Sequence, residues 1–332
     1  MRRELYLILF SLLAWLSPVG IIQGIPLGMT ASEPIPANAW VAIDTFAKKH
    51  QIQCRLVSNQ VILTKNGHRM VLTPGSNQVL FDGIKVFLTY PMEGGRTGGM
   101  PTRIAECRVR QLDVHYYLRP LWGLNLKQKR KIRTVVIDPG HGGRQDGTIQ
   151  HGVREKDLTL KTALQVASKL RALGYKVYLT RHDDRDISLD DRANLAAKYK
   201  ADALVSIHYN SAPSLSARGI ETYVFHLYGQ PGTHSEPSSD DFMPGYAYPF
   251  NGQSRCLGWC IQKRIINALK MQDRGVRSEN LKVLRLSACP SVLVECGFLS
   301  NVQECKQCAS PAYQKMLSDA IAQGIHWYFM DF

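Results

Sequence analysis

The amino-acid sequence predicts an α/β protein in which a mostly parallel, twisted sheet is flanked by helices and preceded by a smaller, mainly β module. From residue 134 onward, apolar runs alternate with segments of helical periodicity, as in βαβ units. Before residue 122, short runs of period two are separated by turn pairs such as Asn66-Gly67. A chain of 332 residues, 45% of them hydrophobic, is long enough for both regions.

The N-terminus has the layout of a secretory signal over residues 1–24. Arg2 and Arg3 precede an uncharged apolar stretch, residues 5–22, and this order is typical of exported proteins. No small-x-small cleavage site follows clearly, and the stretch is near the length of a membrane anchor. We therefore expect an exported protein, periplasmic or in the cell envelope, whose signal is either cleaved or retained as an anchor.

The net charge narrows the classes of partner. The formal net charge of +14 favours an anionic partner: nucleic acid, a membrane surface or an acidic wall polymer. Export argues against nucleic acid.

Eight cysteines are compatible with disulfides outside the cytoplasm, although the sequence does not give their pairing. A four-thiolate zinc site is the less favoured interpretation of Cys256, Cys260, Cys305 and Cys308.

Residues 37–121 are predicted to form the β module, and residues 122–133 a basic linker. Turn pairs at Asn66-Gly67, Pro74-Gly75 and Asp82-Gly83 separate runs of alternating hydrophobicity. The stretch "MVLTPGSNQVLFDGIKVFLTYPMEGGRTGGMPTR" is similar to the N-terminal domain of copper amine oxidases. That similarity is one of topology and implies no copper here. The linker contains the dense positive cluster "LKQKRKIR".

Residues 134–330 are predicted to form the larger domain. Its strand candidates are short apolar runs, and its helix candidates carry apolar residues at helical spacing. The predicted strands are residues 134–138, 176–180, 203–208, 219–225 and 291–295, and the predicted helices begin near residues 155, 188, 252 and 310. Residues 227–253 are rich in Gly, Pro and Ser, so we expect a long loop there, either a functional or a disordered insertion.

Four titratable residues lie where these elements begin or end. His141 follows the first strand by three residues, and Glu155 opens the first helix. His208 and Glu295 each end a later strand. Ligands bind beyond the carboxyl ends of the strands in such sheets, so we expect the four side chains to converge. Two imidazoles and a carboxylate leave a tetrahedral zinc one open position for water, and a second carboxylate can act as a base.

Four other titratable residues are expected to have structural or supporting roles. Cys296 follows Glu295 directly, but adjacent strand residues point to opposite faces, so we expect a core position and not a nucleophile. His151 and His182 are expected in loops. Asp138 is expected to orient or hydrogen-bond a ligand histidine and not to bind metal itself.

At these residues the sequence resembles the zinc-dependent N-acetylmuramoyl-L-alanine amidases, a family of bacterial cell-wall hydrolases. The resemblance covers residues 134–330 and depends on the ordered motifs "VVIDPGHGG", "REKDLTL", "SIHYNSA", "GIETYVF" and "VLRLSACPSVLVECGFLSN". It implies that His141, Glu155 and His208 bind Zn²⁺ and that Glu295 is catalytic.

The resemblance also implies a substrate and partners. Peptidoglycan is the expected substrate, cleaved between N-acetylmuramic acid and L-alanine during wall remodelling or cell separation. Asn210 and Arg277 are expected to contact the substrate, and activator or cell-division proteins are candidate partners. Two alternatives stay open: a zinc carboxypeptidase or other peptidase acting on the stem peptides, and a non-catalytic wall-binding protein that acts through its β module.

Overall fold

The computed structural model describes most of the chain. The predicted signal segment lies outside the described residues, as does most of the predicted basic linker. Among the residues described, we find no helix with the length and apolar character needed to cross a membrane. The described ranges are residues 39–95, 101–124, 133–243 and 245–332.

The N-terminal region is mainly β, as predicted. Strands β2 to β6 form a meander in which each strand is antiparallel to the next. The first elements are β1 Trp40–Ala42, α1 Ile43–Lys49, β2 Gln53–Val57, β3 Gln60–Lys65, β4 His68–Leu72, β5 Gln78–Phe81, β6 Ile84–Phe87 and β7 Arg108–Arg110. Short helical segments follow at Gln111–Asp113, Val114–Leu118 and Arg119–Leu121.

The larger region alternates strands and helices. Its strands are β8 Thr134–Pro139, β9 Ile149–Gln150, β10 Val153–Arg154, β11 Lys176–Leu179, β12 Ala203–Asn210, β13 Ile220–Phe225, β14 Asp273–Glu279 and β15 Ser291–Phe298. Its helices are α2 Glu155–Ala172, α3 Leu189–Lys198, α4 Asn251–Leu269, α5 Lys282–Arg285, α6 Val302–Ala309 and α7 Pro311–Asp331. All five predicted strands are present, and the four predicted helices begin within about one residue of the expected positions.

One sheet contains the main strands of both regions, in the order β11-β8-β12-β15-β13-β14-β6-β5-β4-β3-β2. The first four of these strands are parallel to one another. β13 is antiparallel to β15, and β14 is parallel to β13. β6 pairs with β14 through Val86 and Val276, so the meander extends the sheet of the larger region. The division at residues 122–133 stays a prediction.

Helices cover both faces of the sheet in the larger region. On one face α2 and α4 pack against the strands, and α7 packs against both of these helices. On the other face α3 and α5 cover a core that includes Val136, Leu204 and Leu293. Side chains alternate along a strand. Tyr209 bonds to residues of α2 and α7, so His208 lies on the face of α3 and α5.

The long loop that follows β13 begins at the opposite end of the sheet from His208. Because β13 is antiparallel to β15, its last residue, Phe225, lies near the start of β15. The loop bonds to the far end of β14, where the Thr233 amide donates to the Ser278 carbonyl over 2.7 Å. The segment is a loop, as its composition predicts.

Candidate metal centre and active site

His141, Glu155 and His208 lie together at one end of the sheet. Their ligand atoms are within 4.8 Å of one another, and among the described residues they are the one such group of metal-ligating side chains. Glu155 Oε1 lies 3.1 Å from His141 Nε2 and 2.9 Å from His208 Nδ1. Nitrogen and carboxylate oxygen are donors that zinc accepts, so the donor set fits that ion.

The turn that carries His141 is held by two buried arginines. His141 has a φ of 59°, a left-handed conformation that is unfavourable for a residue with a side chain. Arg181 Nη2 donates to the Gly140 carbonyl over 2.8 Å, and Arg192 Nη2 donates to the His141 carbonyl over 2.6 Å. These charge-assisted bonds stabilise the turn.

Asp138 acts on the same turn through Arg192. Its carboxylate accepts hydrogen bonds from Arg192 Nη1 at 2.7 Å, Ser206 Oγ at 2.6 Å and Thr180 Oγ1 at 2.5 Å. Burial raises the pKa of Asp138, but Arg192 and the two hydroxyls together hold it below its usual value. Of the two expected roles, the structure is consistent with orientation: Asp138 is linked through Arg192 to the backbone of the His141 turn, and its hydrogen-bond partners include no imidazole.

Two glycines allow the close approach of the ligand side chains. An ideal Cβ at Gly140 would lie 2.7 Å from His208 Nδ1 and closer still to the neighbouring ring atoms. A Cβ at Gly147 would lie 2.5 Å from Glu155 Oε2 and 2.7 Å from His141 Cδ2. Any larger residue at either position would displace a ligand.

Glu155 is fixed by backbone donors as well as by the imidazoles. Its Oε2 accepts the Thr148 amide at 3.0 Å, and its Oε1 accepts the Tyr209 amide at 3.1 Å. Burial raises the pKa of Glu155, but hydrogen bonds and charge from His141 and His208 outweigh burial and hold it well below the usual range. The residue therefore presents an ionised carboxylate between the two rings.

Glu295 lies beside the three ligands. It is the register partner of His208 on the neighbouring parallel strand and of Glu221 on the antiparallel strand. Its Oε2 is buried without a hydrogen-bond partner among the described residues. Burial, with the charges of Glu155 and Glu221, raises the pKa of Glu295 well above its usual value. A buried carboxylate oxygen without a partner is expected where a ligand or water binds.

The remaining candidates lie away from this centre. Cys296 is fully buried, on the face opposite to Glu295, as expected for a core residue. His151 is exposed in a turn, and His182 is exposed beside Asp183. All eight cysteines are free thiols.

A family model described as N-acetylmuramoyl-L-alanine amidase matches residues 135–326, more than half of the chain. The chain belongs to this family. It is 35% identical to the uncharacterised protein YqiI of Bacillus subtilis over 197 residues, 59% of this chain and 85% of YqiI. It is also 35% identical to the amidase LytC of the same organism over 193 residues, which is 58% of this chain but only 34% of LytC.

Solved amidase structures share the fold. The N-acetylmuramoyl-L-alanine amidase of Clostridium difficile 630 aligns with a TM-score of 0.51 and 37% identity, over 60% of this chain and 97% of that one. The catalytic domain of CwlV from Bacillus (Paenibacillus) polymyxa var. colistinus aligns with a TM-score of 0.51 and 31% identity, over 60% and 99%. The predicted α/β class and membership of an amidase enzyme family are therefore confirmed.

The two predicted substrate-binding residues of this amidase meet at a carboxylate that the sequence analysis did not select. Asn210 Nδ2 donates to Glu221 Oε1 over 2.6 Å, and Arg277 Nη1 lies 3.2 Å from Glu221 Oε2. Glu221 belongs to the quoted "GIETYVF" motif and is 2% exposed. The sequence does offer one indication of this residue, because Glu221 is an acid inside a mostly apolar strand. Its place beside Glu295 follows only from the antiparallel pairing of β13 with β15.

Proposed function

We propose that this protein is an exported, zinc-dependent amidase that hydrolyses the bond between N-acetylmuramic acid and L-alanine in peptidoglycan. The observation that carries the proposal is the clustering of His141, Glu155 and His208 beside half-buried Glu295, in a member of the amidase family. The net charge of +14 suits a wall polymer that carries carboxylates.

His141, Glu155 and His208 would hold the zinc ion. When bound there, zinc supplies Lewis-acid chemistry, because it polarises a carbonyl oxygen and lowers the pKa of water. The protein's own contribution is to hold three donors close together. Two glycines without Cβ atoms and two buried arginines behind the His141 turn serve that purpose.

Glu295 is proposed as the general base and acid. Its carboxylate faces the same side of the sheet as the His208 imidazole and has an oxygen free of other hydrogen bonds. We infer that it removes a proton from the attacking water and delivers that proton to the departing nitrogen of L-alanine. A single carboxylate can serve both steps because the proton that it accepts is the one that the leaving group requires.

Asn210 and Arg277 are proposed to bind the substrate next to Glu295. Both touch Glu221, whose register partner is Glu295, so both lie along the wall of the same site. Export and cleavage or retention of residues 5–22 are part of the proposal, as is regulation by activator or cell-division proteins. Fractionation of cells that express the full chain would test the location.

The rival functions differ in their products. The full-length protein is incubated with purified peptidoglycan, and the new ends are identified by mass spectrometry. An amidase releases intact stem peptides that begin with L-alanine. A peptidase on the same zinc chemistry would shorten the peptides and leave them on the glycan, and a wall-binding protein would release nothing. Either of those results overturns the proposal, and Glu295→Gln is the matched inactive control.

A further inference from the structure

Glu221 gathers three hydrogen-bond donors and one further ion-pair partner at the wall of the site. The carboxylate is buried, and the donors come from β12, β13 and β14, so one side chain ties three strand segments together. The distances are 2.6 Å from Asn210 Nδ2, 3.1 Å from Tyr223 Oη, 2.9 Å from Arg274 Nε and 3.2 Å from Arg277 Nη1. Glu295 is the register partner of Glu221 in the sheet, so this group of side chains lies next to the strand that carries the proposed base.

Arg274 and Arg277 both form ion pairs with Glu221. Together they carry two positive charges, and the Glu304 carboxylate also lies within electrostatic reach of Arg274. The side chain of Arg274 is 26% exposed and that of Arg277 is 12% exposed. Beyond Glu221, the hydrogen bond found for these guanidinium groups runs from Arg277 Nε to the Arg274 carbonyl at 2.9 Å. Each guanidinium thus keeps N–H donors that are available to a ligand.

An aromatic ring lies beside each guanidinium group. Arg274 Cζ lies 4.7 Å from the ring centroid of Phe298, and Arg277 Cζ lies 5.3 Å from that of Phe87. Phe87 belongs to β6, so the N-terminal meander supplies part of this wall. A planar guanidinium held beside an aromatic ring and by an ion pair is prearranged for two-pronged binding of a carboxylate.

The chemistry of the substrate decides which carboxylate can bind. Before hydrolysis the lactyl carboxyl group of N-acetylmuramic acid is part of the scissile amide, so it carries no charge. The negative charges of the substrate therefore lie on the peptide. We propose that Arg274 and Arg277 form a subsite for a carboxylate on the peptide side of the scissile bond, with Glu221 as the residue that positions them. This inference rests on the proposed function.

The test uses two synthetic N-acetylmuramoyl-L-alanyl peptides that differ in one group. In one, the residue after L-alanine carries a carboxylate, and in the other the corresponding primary amide. For the wild-type protein we expect kcat/KM to favour the carboxylate about tenfold or more, as for loss of a charge-assisted hydrogen bond. In Arg274→Gln and Arg277→Gln the ratio should fall toward one. Arg69→Gln, an exposed arginine on β4, is the matched control and should keep the wild-type ratio.

Further variants separate positioning from folding. Glu221→Gln keeps the shape of the side chain but removes the charge that holds both arginines, so the carboxylate-to-amide ratio should fall mainly through KM for the carboxylate peptide. A purely structural role would lower kcat for both peptides equally and leave the ratio unchanged. If Arg277→Gln fails to fold, Arg277→Lys tests the same point, because it keeps the charge but loses the planar fork.

Binding measurements keep the subsite distinct from catalysis. Equilibrium binding of both peptides is measured in a Glu295→Gln background, where no turnover interferes, with and without Arg277→Gln. A carboxylate preference in Kd that disappears with Arg277→Gln supports the subsite even if the wild-type protein hydrolyses neither peptide, an outcome that would reject only the proposed function. No preference in the parent protein, or a preference that survives both arginine substitutions, overturns the subsite.

Discussion

Gly140→Ala should remove metal binding without affecting the fold. Gly140 is absent from the positions with positive φ, so alanine fits its backbone conformation. The added Cβ would lie 2.7 Å from His208 Nδ1 and closer to other atoms of the ring. Carbon and nitrogen normally approach to about 3.5 Å, so the imidazole has to move by roughly 0.8 Å or more. Metal–ligand distances tolerate changes of only about 0.2 Å. We therefore expect the zinc affinity to fall by about 100-fold or more. A loss of about 100-fold is the upper end of the range for changes to residues that orient a metal ligand.

The assay is zinc content after dialysis, followed by competition with a chelator to obtain the dissociation constant. Gly174→Ala is the control, because Gly174 has a φ of 88° and nothing within 4 Å of its ideal Cβ. That change should lower the free energy of unfolding by about 1 kcal/mol through backbone strain but keep full zinc affinity. Wild-type zinc affinity in Gly140→Ala would refute the reasoning that this glycine makes room for His208.

Three further predictions concern the base, the turn and stability. Glu295→Gln should keep stoichiometric zinc by metal analysis but lose about 10²–10⁴ in kcat, and loss of zinc instead would make Glu295 a ligand. Arg192→Ala should lower the free energy of unfolding by about 3–5 kcal/mol in urea titrations, because it leaves Asp138 buried without its cation; a loss below about 1 kcal/mol would contradict this. Burial raises the pKa of Asp113 to about 6, against 3.8 for an unperturbed aspartate. The protonated side chain therefore contributes fully to the free energy of unfolding below about pH 4, and this contribution is lost as the pH rises through 6. That loss amounts to about 3 kcal/mol. Asp113→Asn should abolish this pH dependence of the free energy of unfolding. Equal pH dependence in the wild-type protein and the variant would argue against the raised pKa of Asp113.

Much of the larger region could be predicted from periodicity and from the ends of its elements. Its five predicted strands are apolar runs, and the four residues at the centre sit where strands end or a helix begins, which parallel sheet geometry brings together. β14 was not predicted, because "DRGVRSE" contains one aliphatic residue and several charges. Its place between β13 and β6 comes from tertiary pairing that no local pattern records.

The supporting residues of the site were harder to predict. Arg181 and Arg192 lie in or near a stretch rich in charge, which is typical of an exposed loop, yet both are buried against the carbonyl groups of the His141 turn. The position of Glu221 could be predicted only from the direction of β13. That strand runs antiparallel to β15, so its first residues lie beside Glu295. Strand direction follows from connections across the whole sheet, so motif spacing alone could not supply it.

Peptidoglycan hydrolysis before and after metal removal tests the central claim most directly. The full-length protein is treated with a chelator, dialysed, and assayed with and without added zinc, and the released material is identified by mass spectrometry. We predict that the metal-depleted protein releases nothing and that zinc restores release of intact stem peptides beginning with L-alanine. Undiminished activity in the metal-depleted protein, or products that lack that L-alanine end, would contradict the assignment of His141, Glu155 and His208 as the metal ligands of an amidase.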